Sequence, residues 1–173
     1  MQKTITRKRT KSQNYKSLTI HLSRIRETTG ILANQPEAVL KYFKDVADLA
    51  QEAFWTLTLD TKLQIIKRHL VTLGVLDASL FHPREIMRPA IQDAARGIVM
   101  VHNHPSGNVE PSVEDLEITH RLYYISRLMQ IELMDHIIIA KRGRKKMRYY
   151  SLREQGHFST FNNTAPTEKI FEL

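Results

Sequence analysis

The chain has 173 residues, 42% of them hydrophobic and 25% charged, no cysteine, and a formal net charge of +8. That length suits one domain with its own core and is short for two. No apolar run reaches the roughly 18–20 residues of a membrane span, and no apolar stretch follows the basic start as in a secretory signal, so a cytoplasmic, membrane-free protein is expected. Without cysteine there are no disulfides, thiolate nucleophiles or sulfur-ligated metals, and any metal must be held by imidazole and carboxylate.

In chain order, residues 1–16 hold six lysines and arginines and no acid, and read as a flexible basic arm. Ser17 to Arg24 alternates in the manner of a short strand. Pro36 opens a helix expected to run to about Gln51, with Val39, Leu40, Phe43, Val46 and Leu49 on its apolar face. Phe54–Leu59 is rich in aromatic and β-branched residues and predicts a strand, which Asp60-Thr61-Lys62 turns back into a second strand over Leu63–Thr72. Pro83 starts a helix through Ala95, with Gly97 as its stop. Ile98 to Val101 is a continuous apolar run of strand length, as expected of a central strand buried on both faces.

Ser112 begins a helix through Met129, and Glu132 to Ala140 predicts another strand. Residues 141–153 hold seven lysines and arginines and no acid, forming a basic turn and a last short strand near Arg148–Ser151. From about His157 onward no period is visible, and a mobile tail is expected over 157–173. The fold class is α/β, a single mixed central sheet flanked by helices, with one domain over 17–156.

Chemistry concentrates where the central strand ends. His102 and His104 are separated by one residue, so on extended backbone they project to the same side. A Pro105-Ser106-Gly107 turn reverses the chain, and the next helix carries Asp115 in its first turn. Two imidazoles and a carboxylate leave a fourth tetrahedral position open, the pattern of a catalytic zinc site with one Zn2+ per chain. A His-x-His pair alone is more often hydrogen-bonded structure. Ser112 and Asp115 also form a capping box with no need of metal. The combination of buried strand, paired histidines, tight turn and acid is more specific than its parts.

The string H-x-H, seven residues, S, two residues, D is similar to the signature of the JAB/MPN+ (JAMM) metalloprotein family. The longer text around His102-Asn103-His104-Pro105-Ser106-Gly107, with Thr119 and the later Asp135-His136, resembles the RadC branch. The likeness covers roughly residues 36–157, including Glu52, Phe54, His82-Pro83-Arg84-Glu85-Ile86 and Tyr150 to Gly156. It implies a JAB/MPN, deaminase-like fold. It also implies His102, His104 and Asp115 as zinc ligands, Glu52 as the acid that moves the proton from water to leaving group, and Ser112 as support for the oxyanion. Longer family members carry an N-terminal helix-hairpin-helix-type segment; about 35 residues precede the shared region here, as in a short form. Glu85 and Glu114 are rival acids expected to lie apart from the site. Asp135-His136 reads as a satisfied pair near the core rather than a second metal site.

Other hydrolase patterns fit less well, since the chain has no H-E-x-x-H, no G-x-S-x-G and none of the cysteines of a nucleobase deaminase. Two function classes follow. One is a zinc-dependent hydrolase of amide or isopeptide bonds acting on a peptide or protein conjugate. The other is a non-catalytic, DNA repair-associated factor making non-specific DNA contacts through Arg7, Lys8, Arg9, Lys141, Arg142, Arg144, Lys145 and Lys146. A charge run is more often a solvated face, and no RNP or helix-turn-helix pattern accompanies these blocks. Oligomeric state has no signature in the sequence.

Overall fold

The computed structural model describes residues 4–6, 19–21, 28–46, 49–74, 82–141 and 146–163, with the backbone alone at 4–6, 19–21 and 162–163. Strands β1 (Thr4–Thr6) and β2 (Thr19–His21) pair antiparallel. β2 falls within the expected strand, and β1 replaces three residues of the expected arm. Arg7, Lys8 and Arg9 lie outside the described residues.

Helix α1 is Pro36–Tyr42, shorter than the apolar period predicts. A longer helix would need the Tyr42 carbonyl to accept from Val46 N–H. Instead Arg68 Nη1 donates to that carbonyl at 3.2 Å while its guanidinium grips Asp45 at 2.9 and 2.7 Å. The chain continues in i→i+3 turns, Val46 N to Phe43 O and Leu49 N to Val46 O. Phe43 stays buried edge-on to Trp55, whereas Leu49 is 36% exposed and leaves the apolar face assigned to it.

β3 (Ala53–Leu59) and β4 (Ile65–Leu73) form the expected hairpin. Asp60 Oδ1 accepts from Lys62 N and Gln64 N, both at 2.8 Å, and Leu63 takes a positive φ of 61°. That turn removes Leu63 and Gln64 from the expected strand. Helix α2 (Pro83–Gln92) also ends early, at Asp93, with Ala94 at φ 46°. Asp93 fixes this end by accepting from Thr58 Oγ1 at 2.7 Å and pairing with His69 Nε2 at 2.5 Å.

Gly97 is therefore not the helix stop. It opens β5 (Gly97–Asn103) at a close approach, where a Cβ would lie 2.9 Å from the Glu132 carbonyl oxygen. All seven residues of β5 are buried, as expected of a central strand. α3 (Val113–Leu128) then crosses to β6 (Glu132–Ala140), parallel to β5. β7 (Arg148–Ser151) closes the sheet, whose order is β4-β3-β5-β6-β7 with only the β5–β6 pair parallel. This is the mixed α/β sheet that the sequence predicts.

Alternation along β5 sorts the core into two layers. Ile98 and Met100 face Phe54 and the apolar sides of α2 and α3, through Ile86 and Leu122. Val99 and Val101 face Trp55, Ile137 and α1, through Val39 and Phe43. Residues His157–Asn163 form α4 rather than a mobile tail. Phe158 and Phe161, three apart on one face, set their rings against Tyr123 at 5.6 and 5.7 Å, and Tyr124 Oη donates to Phe161 O at 2.6 Å. About two helical turns are too short for a period to be read. Residues 164–173 lie outside the described ones. Among the described residues, no helix is long and apolar enough to cross a membrane.

Candidate metal centre

The even-numbered layer of β5 becomes polar at its end. His104 N donates to Ile139 O at 2.9 Å, extending the β5–β6 ladder past Asn103 and keeping the backbone extended through both histidines. Their Nε2 atoms consequently meet at 2.9 Å. The first turn of α3 brings Asp115, whose Oδ1 lies 3.1 Å from His102 Nε2 and whose Oδ2 lies 3.6 Å from His104 Nε2. Glu52, just before β3, places Oε1 3.9 Å from His102 Nε2. One ligand atom from each of these four side chains falls within 4.8 Å of the others.

Hydrogen bonds on the far sides of the rings decide which nitrogen each presents. Thr119 Oγ1 donates to the Asp115 carbonyl at 2.5 Å, so it accepts from His136 Nδ1–H at 2.6 Å. His136 Nε2 is then unprotonated and accepts from His102 Nδ1–H at 2.8 Å. His104 Nδ1–H donates to the Asn108 carbonyl at 2.9 Å. Both ligand candidates are thereby left with a bare Nε2, and the two lone pairs face each other. Such a pair is repulsive unless a cation lies between them. Full burial, and then the neighbouring His102, push His136 well below the usual histidine range, consistent with its neutral place in this relay.

Asp115 supplies negative charge beside those nitrogens. Burial opposes its ionisation, but the neighbouring His102 and His104 and the Ser112 hydroxyl outweigh burial and hold its carboxyl below the ordinary range. For His104 burial likewise works against charge, and Asp115 and the Asn108 carbonyl overcome it and raise its affinity for a proton. Both directions show a centre that favours positive charge. Ser112 caps α3 as the sequence predicts: its Oγ accepts from Asp115 N at 3.1 Å, and Asp115 Oδ2 accepts from Ser112 N and Oγ at 2.8 and 2.7 Å. The single hydroxyl proton of Ser112 is thus engaged with Asp115 Oδ2, leaving Oδ1 to face His102.

Glu52 is held from the opposite face of the sheet by a residue whose role the sequence reading missed. Asn103 lies between the histidines and so points to the other side. Its Oδ1 accepts from Ala53 N at 2.8 Å, and its Nδ2 donates to Gln51 O and Leu49 O at 3.1 and 3.4 Å. With Gly74 N donating to Glu52 O at 2.8 Å, this fixes the backbone on both sides of Glu52, whose side chain is 29% exposed at the rim. The available signal was a polar residue at a strand position bound to be buried.

The rival acids lie apart. Glu114 is exposed, and Glu85 pairs with Arg88 at 2.8 Å. Asp135 and His136 are each satisfied but not as a side-chain pair, because they face opposite layers. Asp135 accepts from Ser151 Oγ, Arg153 N and its neighbour's backbone N–H, whereas His136 belongs to the relay behind His102. Of the basic candidates, Lys141 and Lys146 border one groove, while Arg142, Arg144 and Lys145 lie outside the described residues.

Residues 33–157 match the family model of the RadC-like JAB domain. The chain belongs to that family. RadC-like relatives include a UPF0758 protein of Halalkalibacterium halodurans, 42% identical over 70% of this chain and 51% of its own length. A UPF0758 protein of Pelodictyon phaeoclathratiforme is 48% identical over 64% of this chain and 48% of its own, and one of Thermotoga maritima is 42% identical over 68% and 51%. The chain spans about half the length of these relatives, and their names state no activity. The His102, His104, Asp115 and Glu52 cluster lies inside the matched segment.

Proposed function

We propose that this RadC-like domain is a zinc-type metallohydrolase acting on amide or isopeptide bonds, with His102, His104 and Asp115 as the metal ligands. The observation that carries the reading is the convergence of two imidazole Nε2 atoms, 2.9 Å apart, beside a buried carboxylate. The donor set fits the group: imidazole and carboxylate suit zinc among divalent ions, and three protein ligands leave a position for chemistry. When bound, such an ion polarises a carbonyl and makes water acidic enough to react near neutral pH.

The chain's own residues supply the rest. Glu52, at the rim and 3.9 Å from His102 Nε2, is placed to take a proton from an attacking water. As the carbon–nitrogen bond breaks, the same carboxyl returns that proton to the leaving nitrogen. The His136–Thr119 relay holds the His102 ring, and the Asn108 carbonyl the His104 ring, in one tautomer throughout. Ser112 orients Asp115 while its hydroxyl donates to Oδ2, and stabilises a developing oxyanion only once that O–H turns from Oδ2 toward it.

Glu52→Gln keeps the shape of the side chain and removes the proton shuttle. On metal-loaded protein screened with fluorogenic amide and isopeptide substrates, this change is expected to lower turnover by ~10²–10⁴-fold with metal content unchanged. Turnover equal to that of the wild type would refute the assignment of Glu52.

A further inference from the structure

Outside the metal centre, an open groove of about 900 Å³ lies between α1 and β7. Its borders carry Lys41, Lys44, Lys141, Lys146 and Arg148 against one acid, Glu37. That acid is already engaged, accepting from Tyr149 Oη at 2.7 Å, a bond that lowers its pKa. The apolar positions along the groove are Leu40, Met147 and Val109. Five cations around an apolar floor call for an anionic ligand with apolar side chains of its own.

The groove is continuous with the ligand loop. Val109 follows Asn108, whose carbonyl fixes the His104 ring. Arg148, on the opposite wall, donates to the Gly107 carbonyl in the turn after His104. Anything lying along the groove therefore rests against the loop that positions a candidate metal ligand.

We propose that this groove docks an acidic, extended peptide segment of the substrate and leads its scissile bond to the metal centre. The proposal rests on the hydrolase reading and adds a substrate class to it. A nucleic-acid strand is the less favoured occupant. Its stacking platforms are exposed aromatic rings, and the one aromatic residue lining the groove, Tyr149, is tied through its hydroxyl to Glu37. Four of the five cations are lysines, compact point charges suited to carboxylates spaced along a chain, and the floor offers contacts that a phosphate backbone cannot use.

The test measures binding by fluorescence anisotropy, using a labelled twelve-residue peptide of alternating Glu and Leu, its Lys–Leu counterpart and a twenty-nucleotide oligo-dT. The proteins are the wild type, a Lys41→Glu/Lys44→Glu/Lys146→Glu triple variant, the corresponding triple Gln variant, and Asp115→Ala. Melting temperature reports folding of each.

The expected result is binding of the acidic peptide over the basic one and over oligo-dT. Affinity should fall at least tenfold in the Glu triple variant and less in the Gln one. Stronger oligo-dT binding that the Glu variant abolishes would overturn the proposal in favour of nucleic acid. No acidic-peptide binding, or binding that neither triple variant weakens, would overturn it outright. Asp115→Ala separates the two readings: acidic-peptide binding kept there, in protein shown to hold no metal in either form, leaves the groove standing and sinks the hydrolase reading. Metal binding with no peptide binding does the reverse.

Discussion

The two faces of the central sheet meet the same strand end and do different work there. Under α3, the stripe Asp115, Thr119, Leu122 and Ser126 is buried, and its first two members join His136 and His102 in a chain of hydrogen bonds that ends at the His102 ring nitrogen facing the site. Under α1 the side chains of β5 stay apolar until Asn103, which directs all of its side-chain polarity to the backbone flanking Glu52. One face prepares the metal ligands and the other sets the acid. Alternation along three residues, His102-Asn103-His104, separates the two tasks.

This division can be broken from either side. The largest effect is expected for Asn103→Ala, which leaves the buried Ala53 N–H and two carbonyls without their partner, at roughly 1–3 kcal/mol for each group that water cannot reach. Chemical denaturation should show that loss of stability, and hydrolysis should fall as Glu52 drifts. Zinc affinity should stay close to that of the wild type. Zinc affinity lost together with activity would show that the two faces are not separate.

Asp135, on the α1 side, gives a pH test. Burial pushes its carboxyl up to about 6, although Ser151 Oγ, Arg153 N–H and His136 N–H donate to it. The native carboxyl then binds its proton more tightly than the unfolded chain, whose Asp titrates near 3.9. Its stabilising contribution is present below about pH 4 and is lost as pH rises through about 6, a change of roughly 2–3 kcal/mol. Denaturation of the wild type and Asp135→Asn between pH 4.5 and 7.5 should show the wild type losing ground to the variant as pH rises. A pH-independent difference would place the titration elsewhere.

On the α3 side, His136→Phe removes the acceptor for His102 Nδ1–H while keeping a ring in a fully buried site. Zinc affinity should drop by ~10–100-fold, with Glu52 undisturbed. Thr119→Val lies one bond further out and should cost about 1 kcal/mol or less of that affinity. If Thr119→Val weakens zinc more than His136→Phe does, the relay does not run in this order.

Much of this was legible beforehand, for reasons that can be named. The strand-turn-helix around His102, His104 and Asp115 follows from alternation and a capping box, both local rules. Asp60 announced the hairpin, but its two accepted N–H groups also absorb Leu63 and Gln64, which a pattern of apolar residues does not reveal. α1 ended early because Arg68, 26 residues away, takes the Tyr42 carbonyl. Gly97 looked like a helix stop and is instead required by its closeness to Glu132. Asn103 and His136 escaped for the same cause: what each side chain touches is set by tertiary neighbours rather than by sequence spacing.

The most direct measurement is calorimetric titration of Zn2+ into chelator-stripped protein, wild type beside Asp115→Ala. One site per chain in the wild type, absent from the variant, is the expected result. A wild type that takes up no zinc, or an Asp115→Ala variant that binds it equally well, would contradict the assignment of this cluster as a metal centre.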